Sequence, residues 1–199
     1  MQSKGTNMRI VAGEFRGRTI EAPMGDGTRP TIDRVREALF SSLYSLRGGF
    51  EGAVVLDAFA GSGALGLEAL SRGAQSAVFY ERDAKAASTL KRNIAACKLD
   101  QARAKVIQRD VMQPTSPGQQ KPFDLVFLDP PYEFDADEVL DMVVEMANSG
   151  VLADGAIVVY EHALKSSDSV REAAEARAFS VHKSKKYGKT GVAILIWGE

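Results

Sequence analysis

The chain has 199 residues, of which 45% are apolar and 26% are charged, and this is enough for one sizeable hydrophobic core. Its formal net charge of −1 argues against a protein that coats nucleic acid through bulk electrostatic attraction. No segment approaches the roughly 18 consecutive apolar residues of a membrane-spanning helix, and the N-terminus lacks the apolar core of a secretory signal. We therefore expect a cytoplasmic protein with no membrane partner.

The first 50 residues are predicted to precede a larger domain as a small extension. We expect residues 1–7 to be a disordered leader, residues 8–50 to form a hairpin and a helix, and residues 51–199 to form the main domain. Residues 9–22 alternate loosely and are interrupted by Gly13 and Gly17, as in a small hairpin. A helix is predicted from Thr31, because apolar residues then recur at three- and four-residue steps until Gly48.

After residue 50, short apolar runs alternate with helical patterns. Strands are predicted over residues 53–56, 77–80, 105–108, 125–128 and 156–160, and helices over residues 64–72, 84–99, 136–148 and 169–178. Repeated strand–helix order gives a mostly parallel sheet with helices on both faces. Residues 179–184 and 192–197 are predicted to form a terminal hairpin. The single cysteine, Cys97, falls in phase with Leu90 and Ile94 and is predicted to be a core residue.

A glycine-rich motif follows the first of these strands. Gly61 to Gly66 reads G-x-G-x-x-G, and it stands where a strand ends and a helix begins, so that a ligand can approach the backbone. Glu81 comes twenty positions after Gly61, at the end of the next strand, where a carboxylate can accept hydrogen bonds from both hydroxyls of a ribose. This pair of features fits a nicotinamide dehydrogenase as well as other nucleotide-binding enzymes.

Acidic residues end four successive strands of the predicted sheet. They are Asp57, Glu81, Asp110 and Asp129. The carboxyl ends of parallel strands meet at one edge of a sheet, where ligands of open α/β folds bind. Four acids would repel a diphosphate, whereas S-adenosylmethionine carries an ammonium and a sulfonium and no phosphate. The acids therefore favour S-adenosylmethionine as the cofactor, with Asp110 placed to accept from its adenine amine.

The tetrapeptide Asp129-Pro130-Pro131-Tyr132 follows the apolar run 125–128. The exocyclic amine of a nucleobase is a poor nucleophile, because its lone pair is delocalised into the ring. The Asp129 carboxylate and the Pro130 carbonyl are suited to hold such a nitrogen pyramidal. Tyr132 offers a flat face on which an extruded base could stack. The tetrapeptide thus indicates methyl transfer to a base amine, although an Asp followed by a Pro-Pro turn can also simply end a strand.

Three segments together resemble the RsmD family of small-subunit ribosomal RNA guanine-N2 methyltransferases. They are residues 57–74, residues 29–37 and the tetrapeptide from Asp129 to Tyr132. The resemblance spans almost everything from Met8 onward. It implies a class I S-adenosylmethionine-dependent methyltransferase fold, Rossmann-like, with a seven-stranded mostly parallel sheet. It also implies N2-methylguanine in 16S ribosomal RNA as the product, so the expected partner is ribosomal RNA or the small ribosomal subunit.

The resemblance also assigns site residues by matching motif positions. Asp129, Pro130 and Tyr132 would be catalytic. The cofactor would be bound by Asp57, Ala60, Gly61, Gly63, Glu81, Arg82, Asp110 and Val111. The substrate would be contacted by Arg34, Arg36, Pro131, Lys186 and Lys189. We expect a flipped guanine to stack on Tyr132 and take the methyl group by in-line displacement. No metal cluster is apparent in the sequence, and we expect a monomer.

Several alternatives remain open at this point. A DNA adenine-N6 methyltransferase uses the same tetrapeptide but usually has a target-recognition domain, for which no insertion here is long enough. A protein-glutamine methyltransferase would more often carry Asn at position 129. A dehydrogenase would need a hydride-transfer partner, and His162 and His182 are the only histidines. A non-catalytic RNA-binding assembly factor would bind the cofactor without turnover.

Overall fold

The computed structural model describes residues 8–22, 31–113, 121–131 and 133–198, so the predicted leader lies outside the described residues. The elements in chain order are β1 (Met8–Arg9), β2 (Thr19–Ile20), α1 (Thr31–Arg47), β3 (Val54–Asp57), α2 (Ala64–Ser71), β4 (Ser76–Tyr80), α3 (Ala84–Ala96), β5 (Ala104–Ile107), β6 (Phe123–Leu128), α4 (Ala136–Asn148), β7 (Leu152–Ala163), a short 3-10 helix (Leu164–Ser166), α5 (Ser167–Glu175), β8 (Phe179–Tyr187) and β9 (Thr190–Trp197). The small β1–β2 pair is the predicted N-terminal hairpin.

Seven strands form one sheet in the order β5-β4-β3-β6-β7-β9-β8. Strands β3 to β7 run parallel, whereas β9 is antiparallel to both β7 and β8. The predicted α/β fold, with a mostly parallel seven-stranded sheet and a C-terminal antiparallel hairpin, is therefore confirmed. The chain proceeds outward from β3 through β4 to β5 and then crosses back to β6 on the other side of β3. This reversal places a crevice at the carboxyl ends of β3 and β6, where ligands of such sheets bind.

Alternate residues of the central strands point to opposite faces and build two cores. Val55 and Phe127 face a core that contains residues of α1, α2, α3 and the N-terminal hairpin. Leu56 and Val126 face the other core, which contains residues of α4 and α5. Because both faces are covered, the central strands consist of continuous apolar runs without polar alternation.

The N-terminal hairpin and α1 share a core with the sheet. Ile10, Phe15 and Ile20 of the hairpin region and Phe40 and Leu43 of α1 are buried together with residues of β3, β4 and β6. The segment 8–50 that was predicted as an extension is thus packed against the main sheet through apolar side chains. Burial of this kind stabilises both partners by roughly 1.5–3 kcal/mol for each large side chain.

The largest differences from the predicted boundaries lie in the C-terminal strands. Strand β7 covers Leu152–Ala163 where residues 156–160 were predicted, and β8 extends to Tyr187. Most of the added residues are polar, so no apolar pattern marks them. They lie at strand ends or on the edge strand β8, where lysines discourage pairing with other chains. Helix α4 matches its prediction, and it begins with a capping box between Asp135 and Glu138. Cys97 is buried, as predicted.

The described residues contain neither a membrane-spanning helix nor a metal-binding cluster. Within those residues, no helix is both long enough and apolar enough to cross a membrane. The same part of the chain contains no group of three or more histidine, cysteine, aspartate or glutamate side chains arranged to hold a metal ion.

Candidate active site

A cleft of about 390 Å³ opens at the carboxyl ends of β3, β4, β5 and β6. This volume is within the range of about 300–1,000 Å³ that is usual for small-molecule and cofactor sites. The cleft is lined by Ala58, Phe59, Gly61, Tyr80, Glu81, Arg82, Arg109, Asp110, Val111, Asp129, Pro130, Pro131 and Phe134. Residues of the glycine motif and of the Asp129 tetrapeptide therefore line the same space.

The glycine motif forms a tight turn between β3 and α2. The N–H of Ala60 donates to the carbonyl of Tyr80 at 2.9 Å, and the N–H of Gly63 donates to the carbonyl of Ala60 at 2.6 Å. Gly63 has a φ of 80°, and a Cβ at this position would collide with Leu90 Cδ1. Gly63 is buried and does not line the cleft, so it shapes the turn, whereas Gly61 faces the cleft.

Asp57 lies beneath the turn and does not line the cleft. Its side chain is buried and accepts a hydrogen bond of 2.9 Å from the N–H of Gly66. Burial raises the pKa of the Asp57 carboxyl from 3.8 to about 7, against the lowering effect of that hydrogen bond. The expectation that Asp57 contacts the cofactor is corrected here. The chain folds back over the end of β3 and covers the carboxylate, so Asp57 holds the turn instead.

Glu81 combines a structural contact with a place in the cleft. One carboxylate oxygen accepts from the N–H of Gly61 at 2.8 Å, and the other accepts from the N–H of Asp83 at 2.7 Å. These two bonds fix the orientation of the carboxylate relative to the turn. Each oxygen keeps a second lone pair, so Glu81 can still accept hydrogen bonds from two ribose hydroxyls.

The far end of the cleft is formed by the residues that follow β4 and β5. Asp110 accepts a hydrogen bond from the N–H of Met112 at 3.0 Å, and Val111 presents a buried apolar surface beside it. Arg82 extends across the cleft, with its guanidinium 2.8 Å from Glu133 and 3.8 Å from Asp110. The guanidinium also lies 5.9 Å from the centre of the Phe134 ring. Neighbouring acids, Glu133 first, raise the pKa of Arg82.

The residues that begin the tetrapeptide, 129–131, lie beside the turn because β3 and β6 are adjacent. Asp57 is paired with Phe127 in the parallel register, so the residues after each strand emerge side by side. Asp129, Pro130 and Pro131 all line the cleft, and the Asp129 side chain is exposed there. Tyr132 lies outside the described residues.

Comparison with known proteins shows what the chain resembles. The model of the family described as conserved hypothetical protein 95 matches residues 8–196. The ribosomal RNA small subunit methyltransferase D of Escherichia coli strain K12 is 40% identical over 154 residues, which cover 77% of this chain and 74% of that protein. YlbH of Bacillus subtilis is 36% identical over 190 residues, which cover 94% and 97% of the two chains. The chain belongs to the RsmD family.

Solved structures support the same fold. The structure of yhhF from Escherichia coli has a TM-score of 0.75 and 30% identity, and it covers 98% of this chain and 100% of that one. The structure of a magnesium protoporphyrin IX methyltransferase with bound S-adenosylmethionine has a TM-score of 0.64 at 17% identity, covering 87% and 86% of the chains. This RsmD-family protein thus has the class I methyltransferase fold, whose cofactor is S-adenosylmethionine.

Five residues that line the cleft were not predicted from the sequence: Ala58, Phe59, Tyr80, Arg109 and Phe134. Phe59 and Phe134 contact each other, with ring centres 6.2 Å apart, and both line the cleft. Arg109 lines it beside Asp110. A usable signal was present, because Phe59 lies inside the glycine segment of the RsmD family and Phe134 follows the tetrapeptide by two positions.

Arg36 is not available to a substrate, and that expectation is corrected. Its side chain is 2% exposed, lies 2.7 Å from Asp33 and 3.7 Å from Glu68, and donates to the carbonyl of Arg9. Arg36 therefore ties α1 to Glu68 of α2 and to the backbone of Arg9. Arg34, two residues earlier, is exposed on the opposite side of the first turns.

The two predicted substrate lysines lie at the correct edge of the sheet but outside the cleft lining. Lys186 and Lys189 are exposed near the turn between β8 and β9. The N–H of Leu164, which follows the carboxyl end of β7, donates to the carbonyl of Lys189 at 2.8 Å. The turn is therefore at the same edge as Asp129, separated from it by the end of β7.

The histidines have positions that do not suit hydride transfer. His162 is buried in β7 against Tyr160 and Gly191, and its Nδ1 lies 2.9 Å from the carbonyl of Ala163. His182 is exposed on the edge strand β8. Neither histidine lines the cleft. These positions and the family membership favour methyl transfer over the dehydrogenase alternative.

Proposed function

We propose that this protein methylates the exocyclic N2 amine of a guanine in small-subunit ribosomal RNA, with S-adenosylmethionine as the methyl donor. The observation that supports this most directly is the shared cleft. Cofactor-type residues Gly61 and Glu81 line it together with Asp129 and Pro130, the pair suited to a planar amine. A small-subunit ribosomal RNA substrate is supported by the Escherichia coli relative, a ribosomal RNA small subunit methyltransferase. The 16S guanine N2 target rests on the resemblance to the RsmD family.

The residues present fit the chemical groups of S-adenosylmethionine. The Gly61 turn can admit the methionine part, Glu81 can accept from the ribose hydroxyls, and Asp110 and Val111 can meet the adenine. The carboxylates suit a ligand that carries two positive charges and no phosphate. When bound, the cofactor supplies an electrophilic methyl group on a sulfonium.

In the proposed reaction, Asp129 and Pro130 act on the substrate amine. The Asp129 carboxylate and the Pro130 carbonyl accept hydrogen bonds from the two N–H groups of the amine. This directs the lone pair of the nitrogen toward the methyl group. Rate is gained from this orientation and from preorganised acceptors. The new N–C bond forms as the S–C bond breaks, and the cationic product amine then loses a proton to Asp129 or to water. Tyr132 would stack on the flipped base.

Phosphate contacts would come from cations around the cleft. Arg34, Lys186 and Lys189 are exposed, and the lysines lie at the carboxyl edge of the sheet. With a formal net charge of −1, the protein must rely on such local cations for RNA binding. Affinity should therefore fall steeply as salt rises, because each phosphate contact releases bound counterions. We further propose that the protein acts in the cytoplasm as a monomer.

The decisive experiment is methyl transfer from labelled S-adenosylmethionine to small subunits that lack the modification. Naked 16S RNA and duplex DNA serve as parallel substrates, and the products are digested to nucleosides. Label in N2-methylguanosine is the expected result. Label in N6-methyladenine of DNA would instead identify a DNA methyltransferase, and cofactor binding without any transfer would identify an assembly factor. Either of these outcomes would contradict the proposal.

A further inference from the structure

A buried asparagine on α3 contacts two other parts of the chain. One is the turn of the glycine motif at residues 61–63, here called the cofactor turn, and the other is the N-terminal segment, residues 8–22. Asn93 is 3% exposed and is separated by 31 positions from Ser62 and by 72 positions from Glu21. Its Nδ2 donates to the Ser62 carbonyl at 2.9 Å and to the Glu21 carbonyl at 3.0 Å, and its Oδ1 accepts from the Glu21 N–H at 3.0 Å. The side chain joins three backbone groups of two distant segments.

The hydrogen-bond pattern fixes the orientation of the Asn93 amide. Both Nδ2 contacts are carbonyl oxygens, and the single Oδ1 contact is an N–H donor. A rotated amide would place its oxygen against two carbonyl oxygens, which is unfavourable. A buried amide with all these hydrogen bonds is held in a single orientation. Loss of one partner leaves a buried polar group without a hydrogen bond, which is costly.

Ser62 lies at the point of the glycine turn that matters for cofactor approach. It stands between Gly61, which lines the cleft, and Gly63, the residue before α2, which has a left-handed backbone. The turn is held by Glu81, which accepts from the Gly61 N–H, and by Asn93, which donates to the Ser62 carbonyl. These two contacts restrain consecutive residues, and together they set the direction of the backbone groups that face the cleft.

The N-terminal segment is attached to the same helix–turn unit at a second place. The buried carboxylate of Glu68 in α2 accepts from the N–H groups of Val11 and Ala12 at 2.8 and 3.1 Å. Asn93 contacts the same segment at Glu21. The segment is therefore joined to α2 through Glu68 and to the glycine turn through Asn93.

We propose that Asn93 is a positioning residue for cofactor binding. Through its bonds to Asn93, the N-terminal segment is then a structural part of the cofactor site. Loss of the Asn93 amide should free the Ser62 carbonyl and the Glu21 backbone together. The turn would then sample more conformations, and cofactor binding would have to select the competent one, which lowers affinity. This inference uses the cofactor assignment but does not depend on which base is methylated.

The test measures binding of S-adenosylhomocysteine by calorimetry in the full chain, without any RNA. Asn93→Ala should weaken binding by about tenfold, the effect of one buried polar group left unsatisfied. Arg92→Ala is the matched control. Arg92 lies on the same helix as Asn93, and its removal breaks an exposed ion pair of 2.9 Å with Glu21. Because Arg92 does not contact the turn, its removal should change the affinity for S-adenosylhomocysteine less than twofold.

A second pair of variants covers the case in which Asn93→Ala does not fold. Glu21→Pro removes the N–H that donates to Asn93 Oδ1, because proline has no amide hydrogen. Glu21→Ala removes the same carboxylate and keeps the N–H. We expect weaker S-adenosylhomocysteine binding for Glu21→Pro, by about threefold, and little change for Glu21→Ala.

Two further readouts separate positioning from general destabilisation. In a methylation assay, Asn93→Ala should raise the KM for the cofactor while kcat stays within about threefold. Hydrogen exchange at residues 61–64 should accelerate in Asn93→Ala and not in Arg92→Ala. Equal affinities within both pairs of variants, in a protein whose wild type binds S-adenosylhomocysteine, would overturn the inference. A wild type that does not bind it would instead contradict the cofactor assignment.

Discussion

The cleft has two walls that are built in different ways. The cofactor wall, residues 57–63 with Glu81, is fixed by hydrogen bonds of buried or half-buried side chains: Asp57 and Glu81 accept from backbone N–H groups, and Asn93 donates to the Ser62 carbonyl. The proposed catalytic wall, described at residues 129–131, 133 and 134, has exposed side chains at Asp129, Pro131 and Glu133, and the exposed Arg82–Glu133 ion pair joins it to the cofactor side. The comparison indicates that the cofactor wall is preorganised, whereas the catalytic wall is accessible to a large substrate.

This difference predicts opposite phenotypes for substitutions in the two walls. A change in the catalytic wall should affect turnover with little effect on folding or cofactor affinity. A change in the cofactor wall should affect cofactor affinity and stability together, because the same hydrogen bonds provide both. The following experiments test this separation, beginning with the largest expected effect.

Asp129→Ala should reduce turnover by about a thousandfold or more, since it removes an acceptor that orients the reacting amine. Affinity for S-adenosylhomocysteine should stay within a few-fold, because Asp129 is exposed and the turn is held by other residues. Single-turnover methylation and calorimetry measure the two quantities. Near-normal turnover would refute the role given to Asp129.

Gly63→Ala should damage the cofactor wall. A Cβ there requires both a left-handed backbone and displacement of the Leu90 side chain, and together these should lower the free energy of unfolding by about 2–4 kcal/mol. Gly188→Ala is the control, since Gly188 also has a positive φ, of 61°, but open space for a Cβ. Urea unfolding should show a larger loss for Gly63→Ala, and only that variant should lose cofactor affinity.

Asp57→Asn should remove a pH dependence of stability. The folded-state pKa of Asp57 is raised to about 7 by burial, so the folded protein binds a proton that the unfolded chain releases above about pH 4. The free energy of unfolding of the wild type should therefore fall as pH rises from about 4 to 7. Above pH 7 the contribution of Asp57 should no longer change. The Asn variant should show a flatter profile and be the more stable protein at pH 8. Identical slopes of unfolding free energy against pH would contradict this.

The smallest effect is expected for the ion pair between the walls. Arg82→Glu and Glu133→Arg alone should each lower turnover by less than about fivefold, because both side chains are exposed and the pair is screened by solvent. The double exchange should recover part of the loss. Recovery would show that the pair aligns the two walls, whereas additive losses would show that Arg82 acts only through its other neighbours, Asp110 and Phe134.

Local patterns explain why so many elements were predicted correctly. Continuous apolar runs at β3, β4 and β6 and three-to-four-residue periodicity in α1 and α3 are direct consequences of burial on two faces or on one. Strand ends were harder to place, as in β7 and β8, because polar residues continue the backbone pairing without any apolar signal. The aromatic contact between Phe59 and Phe134 was missed because it depends on two segments that are 75 positions apart.

The sequence by itself determined the order of strands and helices, the glycine turn and the presence of acids at strand ends, since each depends on residues close together in the chain. Only the tertiary structure decided which of those residues face the cleft. Asp57 and Arg36 are ionisable residues that the family resemblance assigned to ligands, yet both are buried and hold other segments in place. The physical reason is that exposure depends on what packs over a side chain, and at these positions the covering residues come from other parts of the sequence.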